Sequence, residues 1–599
     1  MKQIVRKLIL AVQEGIAFSQ LKAFPQRGDF KDYNGGKLLH DARAALNVAL
    51  LTLPQGMAYA LIAGLDITYG IYGSIIACLI APFFGSSRFI ALGPTNATAI
   101  ILLAAFVGYD QSTRLEALGF FLVLVGVFLI IGAFLRIASL IQYVSRTVVT
   151  GYITAAALYI IFNQWHNVLG FEFSREAQSF YDVIYLTVTE LEKTDMASLL
   201  LSLTTVFLWA LLQWKFPKLP AVALALVLAS LMGWGLSYVE GFTDNLVLLS
   251  PVTTEDWQFG IPQFNWEWMG AFASPALSVA LLCVLEGTAI AKSLAARSGD
   301  RVDTNQEMLS IGVANVACGL GSGMAASGSL TRSALNHQAG AATCLSSFLC
   351  GLFCLLSVVL LGTFFQYIPQ AALAVMVVCV GFSLINRHHI RIALRSTRSD
   401  RVVFLLTLLA GLLVKLDFAI YLGVAASVVL FLRKASAPEL VEYTFSESGE
   451  LHQIDDKKER PGGAISIVHA EGDLFFGSAE LFRDGMRRVC EDPGLKVIIL
   501  RMRNARHLDA TSVMALEELV TFLRDHDRDL IVSGAMKDVI RVLKNSGLFD
   551  FIGRENIFPG SIRNPNLATR NALIRAKEIT GEPTSDVRIY YDPKVQQGS

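Results

Sequence analysis

Long apolar stretches dominate the first 433 residues of the chain. Divided at Gly, Pro and charged residues, they give fourteen segments, and a helix of 18 or more apolar residues can cross a bilayer core of ~30 Å. The segments lie near residues 43–65, 69–86, 89–108, 115–135, 145–165, 198–214, 219–239, 272–292, 306–323, 329–342, 344–366, 370–386, 401–416 and 418–433. The pattern therefore predicts an α-helical membrane protein with fourteen transmembrane segments.

The pattern changes after residue 433, where short apolar strands begin to alternate with amphipathic helices. Strands are expected at residues 464–469, 496–502 and 530–533, and helices at 478–490, 511–526, 537–546 and 567–579. Such alternation is typical of βαβ units and predicts a small α/β domain.

These patterns divide the chain into five regions. We expect a cytoplasmic N-terminal segment at 1–42, a transmembrane domain at 43–433, a linker at 434–462, an α/β domain at 463–560 and a C-terminal tail at 561–599.

Composition and charge agree with this division. Hydrophobic residues make up 53% of the chain and charged residues 17%, against roughly 25% charged residues in an average soluble protein. Residues 1–433 carry 27 basic and 24 acidic side chains, and residues 434–599 carry 23 and 26. Neither part has the basic excess that nucleic-acid binding requires, so no nucleic-acid partner is expected. The cysteines lie almost all in apolar segments without ligand-like pairing, so neither disulfides nor a metal site are expected.

The charges in the loops indicate the orientation in the membrane, because Lys and Arg collect on the cytoplasmic side. With the N-terminus inside, the predicted inward loops are basic, and the loop at 387–401 alone carries five arginines. The long loops on the other side are acidic, and the one at 241–271 has four acids and no Lys or Arg. We therefore expect both termini in the cytoplasm, in a multi-pass protein of the plasma membrane, or of the inner membrane in a bacterium.

Two charges, Glu286 and Arg332, lie deep in predicted spans rather than near their ends. A central charge costs at least ~2.5–3.5 kcal/mol on insertion scales, so it is kept mainly where it faces a cavity or serves a function. One interpretation is a buried structural pair in which Arg332 neutralises Glu286. The other is a binding or coupling role for each.

The sequence around Arg332 is too rich in Gly and Ser for a continuous helix. A helix that restarts near Ser329 offers free backbone N–H groups and the positive end of its dipole at membrane depth, which favours an anion. Gly93-Pro94-Thr95 forms a comparable break in the first half of the chain. Paired interruptions point to a transporter site in an inverted repeat. The alternative for each break is glycine-mediated helix packing.

The motifs around these breaks resemble those of a known family. Residues 53–65, LPQGMAYALIAGL, followed by YGIYG at 69–73, are similar to the signature of the sulfate permease (SulP) family, which includes pendrin and prestin. The Gly93-Pro94-Thr95 break, the Glu286 span and residues 327–341 are similar to its third, eighth and tenth helices. The resemblance covers residues 37–560. It implies fourteen helices in a seven-plus-seven inverted repeat, a core domain that moves against a gate domain like an elevator, and a homodimer.

The resemblance also implies roles for individual residues. It assigns anion binding to Gln55, Tyr59, Thr95, Ser329, Leu330, Thr331 and Arg332. Glu286 matches the acidic position of the eighth helix. Sodium-coupled bicarbonate members have Asp there and a hydroxyl residue four positions later, whereas this chain has Glu286 and Ile290. A lone Glu that takes up a proton suits proton coupling better than a sodium site.

Residues 463–560 resemble the STAS module, which occupies this place in the family. Leu508-Asp509-Ala510-Thr511-Ser512 fits the loop before the second helix, where bacterial signalling relatives have a phosphorylatable Ser or Thr followed by Gly. Ser512 replaces that Gly, which argues against a phosphorylation switch. The alternative is that Asp509 or Thr511 caps a helix. The resemblance leaves room for cytoplasmic protein partners of this domain.

Together these features predict a transporter rather than an enzyme, with no catalytic residues, metal or cofactor. No phosphate-binding loop for ATP is present in the sequence. The favoured hypothesis is proton-coupled secondary uptake of a small inorganic anion across a lipid bilayer, with sulfate as first choice. The alternatives are transport of bicarbonate or a dicarboxylate, chloride/anion exchange, an uncoupled anion channel, and a signalling receptor.

Overall fold

A computed structural model of the chain describes residues 21–581, apart from 23, 27–29, 31, 107, 139–144, 176, 178, 216–220, 237–245, 254–256, 415, 437–438, 446–450, 454–463, 490–493 and 562–566. The chain divides into two compact units, Met1–Ser427 and Val428–Ser599. The first is helical, and the second contains a mixed β-sheet.

The first unit consists of helices and two very short strands. The elements are α1 (Gly35–Ile62), α2 (Ile67–Ile80), β1 (Leu92–Pro94), α3 (Asn96–Ala105), α4 (Gln111–Phe134), α5 (Arg146–Asn163), α6 (Trp165–Leu169), α7 (Phe180–Thr189), α8 (Met196–Lys215), α9 (Ala221–Leu236), α10 (Trp266–Ser298), α11 (Thr304–Leu320), β2 (Ala326–Gly328), α12 (Leu330–Gln338), α13 (Leu345–Leu361), α14 (Gln370–Leu384), α15 (Arg387–Arg395), α16 (Arg398–Leu413) and α17 (Leu416–Ala435).

Each of the fourteen predicted segments overlaps one of these helices, and α6, α7 and α15 are short additional ones. Eight helices in the described part of the chain are long and apolar enough to cross a membrane. Several others are shorter because the chain is interrupted, as at β1 and β2. The predicted helical membrane fold is confirmed.

The helices of the first unit pack in two groups. The first group contains α1–α4 and α10–α13, and the second contains α5, α6, α8, α9, α14 and α16. Each group thus takes one block of segments from the first half of the chain and the corresponding block from the second half. This is the arrangement that a seven-plus-seven repeat with a core and a gate domain predicts.

Two glycines let α1 and α2 approach closely where they cross. A Cβ on Gly70 would lie 1.9 Å from the carbonyl oxygen of Gly56, and a Cβ on Gly56 would lie 2.8 Å from that of Gly70. Both glycines belong to the motif at residues 53–73. Part of this motif is therefore required for the packing of α1 against α2. That packing sets the position of α1 in the first unit.

The second unit is a six-stranded sheet with helices on both faces. Its elements are β3 (Glu439–Phe445), β4 (Leu451–Gln453), β5 (Ile465–Asp473), α18 (Ala479–Val489), β6 (Val497–Arg506), α19 (Ala510–Arg524), β7 (Asp529–Ala535), α20 (Lys537–Asn545), α21 (Leu548–Ile552), β8 (Ile557–Pro559) and α22 (Leu567–Thr580). The strand order is β4-β3-β5-β6-β7-β8, with β5 to β8 parallel and β3 antiparallel to both β4 and β5.

Apolar side chains bury both faces of this sheet. Helices α18 to α21 cover one face, where Phe482 and Leu516 are 1% exposed. Helix α22 covers the other, where Ala572 packs with Ile499 and Ile531. The predicted strands and helices of this domain are all present.

The structure adds two strands to the predicted linker and confirms the helix predicted at 567–579 in the tail. The predicted linker at 434–462 contains β3 and β4, and the predicted tail contains α22, which packs on the sheet. The last predicted piece, 589–591, lies outside the described residues, as does Cys490. None of the other seven cysteines forms a disulfide with another described residue.

Candidate functional site

The two interrupted segments meet in a short antiparallel ribbon. Strands β1 and β2 pair through Leu92 with Gly328, Gly93 with Ser327 and Pro94 with Ala326. Each strand leads within two residues into a helix, α3 or α12. Because the strands are antiparallel, the helices begin at opposite ends of the ribbon, and their N-terminal ends face the ribbon between them. The breaks predicted separately in the two halves thus form one site.

Polar side chains begin both helices. Thr95 caps α3, and its hydroxyl oxygen and that of Thr98 accept reciprocal backbone hydrogen bonds in a capping box. Ser329 caps α12 by accepting from the backbone N–H of Arg332. Both caps are more than nine-tenths buried. The remaining N–H groups of each first turn, with the helix dipole, make the region favourable for negative charge.

Arg332 places a full positive charge between the two helix ends. Its side chain is 0% exposed, and its Nη2 atom donates to the carbonyl oxygen of Pro94 at 2.8 Å. The Nε and Nη1 atoms make no hydrogen bond within the described residues. A buried cation with unused donors is costly unless an anion meets them. The guanidinium is therefore well placed to bind one.

The backbone of Gly93 forms the floor under this guanidinium. A Cβ at Gly93 would lie 2.8 Å from Nη1 of Arg332 and 3.1 Å from Nη2, and the residue has φ +155°. A Cβ here would displace the guanidinium, so the glycine lets Arg332 lie directly against the backbone. The sequence predicted Gly93 as part of a helix break. Its contact with Arg332 could not be predicted from the sequence, because only the fold brings the two residues together.

Glu286 lies on α10 beside the start of α3. Its Oε2 atom accepts a hydrogen bond from the hydroxyl of Thr95 at 3.4 Å. Although both residues are described, no ion pair joins Glu286 to Arg332. The structural-pair interpretation of these two charges is therefore wrong, and each charge has its own neighbours.

Helix α1 brings Gln55 and Tyr59 to the same region. Both side chains are buried, at 8% and 5% exposed, and they lie four residues apart on one face of the helix. Tyr59 is close enough to interact electrostatically with both Arg332 and Glu286. The Oε1 atom of Gln55 has no hydrogen-bond partner among the described residues. These two residues thus add polar groups to the site.

In the first turn of α12, two of the predicted binding residues have exposed side chains, so the turn contributes mainly its backbone N–H groups to the site. The side chain of Leu330 is 58% exposed, and that of Thr331 is also exposed. The hydroxyls of Ser329 and Thr331 are 3.3 Å apart. A hydrogen-bonding role for Leu330 is therefore confined to its N–H group.

Ile290, four residues after Glu286, is an apolar neighbour of the ribbon. It is 7% exposed, and a Cβ at Gly328 would lie 3.4 Å from its Cδ1 atom. The position on α10 four residues after Glu286 thus carries a methyl group packed against β2. It supplies no oxygen ligand for a cation.

The sequence did not single out two further buried carboxylates, Asp41 and Glu307, because both lie near the ends of apolar stretches. Asp41 is 0% exposed and accepts from the backbone N–H groups of Ala342 and Thr343. Glu307 is 2% exposed and accepts from the N–H groups of Ser86 and Ser87. Each carboxylate fixes a loop of the first helix group rather than lining the site.

In the second unit, the loop before α19 has a capping arrangement. Asp509 accepts from the backbone N–H groups of Ser512 at 2.9 Å and Phe476 at 2.7 Å. Burial raises the pKa of the Asp509 carboxyl, but these hydrogen bonds outweigh it, so its pKa lies below the usual value. Ser512 is 2% exposed, whereas Thr511 is exposed. The helix-capping interpretation of Asp509 is confirmed.

Comparisons with known proteins agree with this geometry. Residues 38–407 match the family model described as "Sulfate permease family", and residues 457–561 match that of the STAS domain. A sodium-independent sulfate anion transporter of Bos taurus is 26% identical over 88% of this chain and 88% of its own length.

Two solved structures have a similar fold. The murine Solute Carrier 26 family member A9 anion transporter, in the inward-facing state, superposes with a TM-score of 0.82 at 18% identity, covering 93% of this chain and 94% of that one. The transmembrane domain of a cyanobacterium bicarbonate transporter, BicA, has a TM-score of 0.57 at 19% identity, covering 66% of this chain and 98% of that domain. This chain therefore belongs to the sulfate permease family, a family of membrane anion transporters rather than enzymes, and carries a STAS domain at its C-terminal end.

Proposed function

We propose that the protein takes up a small inorganic anion, with sulfate as first choice, together with a proton. The observation that carries the proposal is the buried guanidinium of Arg332, which lies between two helix N-termini and has no carboxylate partner among the described residues. A doubly charged oxyanion would supply the missing negative charge and accept from Nε, Nη1 and the backbone N–H groups.

The polar residues around Arg332 would complete the binding site. Thr95 and Ser329 stand at the two helix starts, and Gln55 and Tyr59 approach from α1. Hydroxyl, amide and backbone donors of this kind bind the oxygens of sulfate. Bicarbonate, chloride and dicarboxylates need the same positive helix ends, so they remain the alternatives for the substrate.

Glu286 is the proposed site of the coupling proton. It lies beside the anion site and touches it through Thr95, and no described cation lies at ion-pair distance from it. A carboxyl group that must cross an apolar barrier crosses more easily when it is neutral. The methyl groups of Ile290 leave no oxygen for a sodium site there, and the bovine relative is named as sodium-independent.

The division into two helix groups supports an elevator cycle. The proposed anion ligands and Glu286 all belong to α1, α3, α10 and α12 of the first group. That group would carry anion and proton across the membrane against the second group as one body. We further propose a homodimer in the plasma membrane with both termini in the cytoplasm, and cytoplasmic partners for the STAS domain.

Sulfate uptake into proteoliposomes under an imposed pH gradient tests the proton role. Glu286→Gln should abolish gradient-driven accumulation, since the amide cannot be protonated, while exchange of internal for external sulfate continues. The control is Glu267→Gln, which removes an exposed carboxyl from the first turn of the same helix. Full accumulation by the Glu286 variant would refute proton coupling at this residue.

A competition panel on purified protein tests the choice of anion. Sulfate should displace labelled sulfate at lower concentration than bicarbonate, chloride or a dicarboxylate, and preferential displacement by bicarbonate would favour that alternative. Arg332→Ala should weaken sulfate binding by about 100-fold, as expected for the loss of the two charge-assisted contacts that Nε and Nη1 would make. Unitary currents in a planar bilayer would instead indicate an uncoupled channel.

A further inference from the structure

A cavity of about 260 Å³ lies between the two helix groups. Leu103 and Arg114, from the end of α3 and the start of α4, line one wall. Asn163 and His166, from α5 and α6, line the other, and Arg175 comes from the segment that follows. On the predicted topology, these elements lie at the extracellular end of the bundle.

This cavity is separate from the site at Arg332. It lies at Leu103 near the C-terminal end of α3, whereas Thr95 stands at the N-terminal end of that helix. Eight residues of α-helix span about 12 Å. The cavity and the Arg332 site lie at opposite ends of α3. An anion that enters from the extracellular side and moves along this helix would therefore meet the cavity before it reaches Arg332.

Arg114 is the buried cation of the cavity. Its side chain is 9% exposed, and its Nη2 atom donates to the carbonyl oxygen of Tyr109 at 2.9 Å. The guanidinium also lies against Gly64, where a Cβ would come within 3.2 Å of Nη1. These contacts fix the direction of a positive charge at the cavity wall.

Arg175 stands at the more open side of the cavity. It donates to Asp182 at 2.8 Å, while about half of its side chain is exposed. The carboxylate of Glu190, on the same loop, accepts from Ser174 and pairs with Lys193 at 3.0 Å. Among the described residues that line the cavity, none is Asp or Glu.

His166 adds a polar group between the two arginines. Its ring packs against Phe173 with the ring centroids 4.4 Å apart. Its Nδ1 atom is buried and makes no hydrogen bond within the described residues. A ligand with acceptor oxygens would satisfy this atom in the tautomer that carries hydrogen on Nδ1.

We infer that this cavity is an outer binding site for a small inorganic oxyanion, which Arg114 and Arg175 attract and His166 hydrogen-bonds. The inference rests on the proposed function, since the site would collect the transported anion before it reaches Arg332. Arginines at the wall of a cleft raise the local concentration of anions there.

The first test measures the cavity's potential and needs no transport. Ala177→Cys places a thiol in the lining, and its reaction is followed in purified full-length protein with an anionic and a cationic methanethiosulfonate at low salt. Adding Arg175→Gln should lower the anionic-to-cationic rate ratio by about threefold or more, as expected for one nearby charge. Sulfate should slow both reactions. An unchanged ratio, or no protection by sulfate, would overturn the inference.

Lys193→Gln is the matched control, because Lys193 is also a half-exposed cation paired with a carboxylate on this loop but does not line the cavity. It should leave the ratio unchanged. In uptake assays, Arg175→Gln should raise the half-saturating external sulfate about fivefold with a maximal rate within about twofold. An equal effect of Lys193→Gln would mean that general surface charge is responsible. If the wild-type protein transports no sulfate, the proposed function is wrong. The thiol test still shows whether the cavity binds an oxyanion, because it does not depend on transport.

Discussion

The Nη2 atom of Arg332 donates to the carbonyl oxygen of Pro94, and this 2.8 Å contact joins the two interrupted segments of the fold. It ties the first turn of α12 to the last residue of β1, which directly precedes the Thr95 cap of α3. The guanidinium is thereby held by one donor while Nε and Nη1 stay available. A binding group fixed in this way loses little conformational freedom when an anion arrives.

Gly93→Ala should disable this arrangement without touching a charged residue. The added Cβ would lie 2.8 Å from Nη1 of Arg332, on a backbone with φ +155°. We expect the guanidinium to move and sulfate affinity to fall by at least about tenfold, the loss of one good charge-assisted contact. Equilibrium binding of labelled sulfate to purified protein measures it.

Gly299→Ala is the control for backbone strain in this experiment. Gly299 also has positive φ, +78°, but a Cβ there would meet no atom within 4 Å. It should destabilise the protein slightly and leave sulfate affinity unchanged. Wild-type affinity in the Gly93 variant would show that the guanidinium is not held against this glycine.

The sequence was sufficient to predict the helices but not the contacts of the buried charges. Apolar length and Gly or Pro breaks mark α1 and β1 locally, and the motif at 53–73 identified the family. Asp41 and Glu307 were missed because their partners, Thr343 and Ser86, are distant in sequence. Likewise, polar composition at 434–462 obscured β3, whose pairing with β5 is set by the sheet.

Asp41→Ala should destabilise the first helix group. The carboxylate is 0% exposed and accepts from the N–H groups of Ala342 and Thr343 at 2.7 and 2.9 Å. Its loss would leave both donors without that acceptor, at about 1–3 kcal/mol each. We expect a clearly lower thermal unfolding temperature in detergent. Asp32→Ala, at an exposed position, is the control, and equal unfolding temperatures for both variants would contradict the prediction.

Asp509→Ala should loosen the start of α19 in a pH-dependent way. The pKa of Asp509 is lowered in the folded protein, so its contribution is complete above the unfolded value of about 3.9 and is lost as the pH falls through the folded value. At neutral pH the variant should lose about 0.5–2 kcal/mol, typical of a helix cap. Below about pH 3.9 the difference from wild type should shrink.

Hydrogen exchange of peptides from α19 in the full-length protein, corrected for intrinsic rates, measures this effect. Asp509→Asn is the matched control, because an amide oxygen also caps helices but does not titrate. It should retain most protection at neutral pH and show less dependence on acid. A wild-type-like exchange rate in the alanine variant would exclude a capping contribution.

Gly70→Ala should prevent α1 and α2 from packing. A Cβ at Gly70 would lie 1.9 Å from the backbone oxygen of Gly56, which a helix cannot move without separating from its neighbour. Overpacking of this kind costs at least about 1–3 kcal/mol, and separation of α1 would also displace Gln55 and Tyr59 from the site. We expect little monodisperse protein after extraction.

Gly270→Ala in α10 is the control, because a Cβ there meets nothing within 4 Å. This variant should extract normally, since Ala favours a helix by about 0.5–1 kcal/mol over Gly. Normal yield and transport in the Gly70 variant would show that the motif glycines serve something other than this crossing.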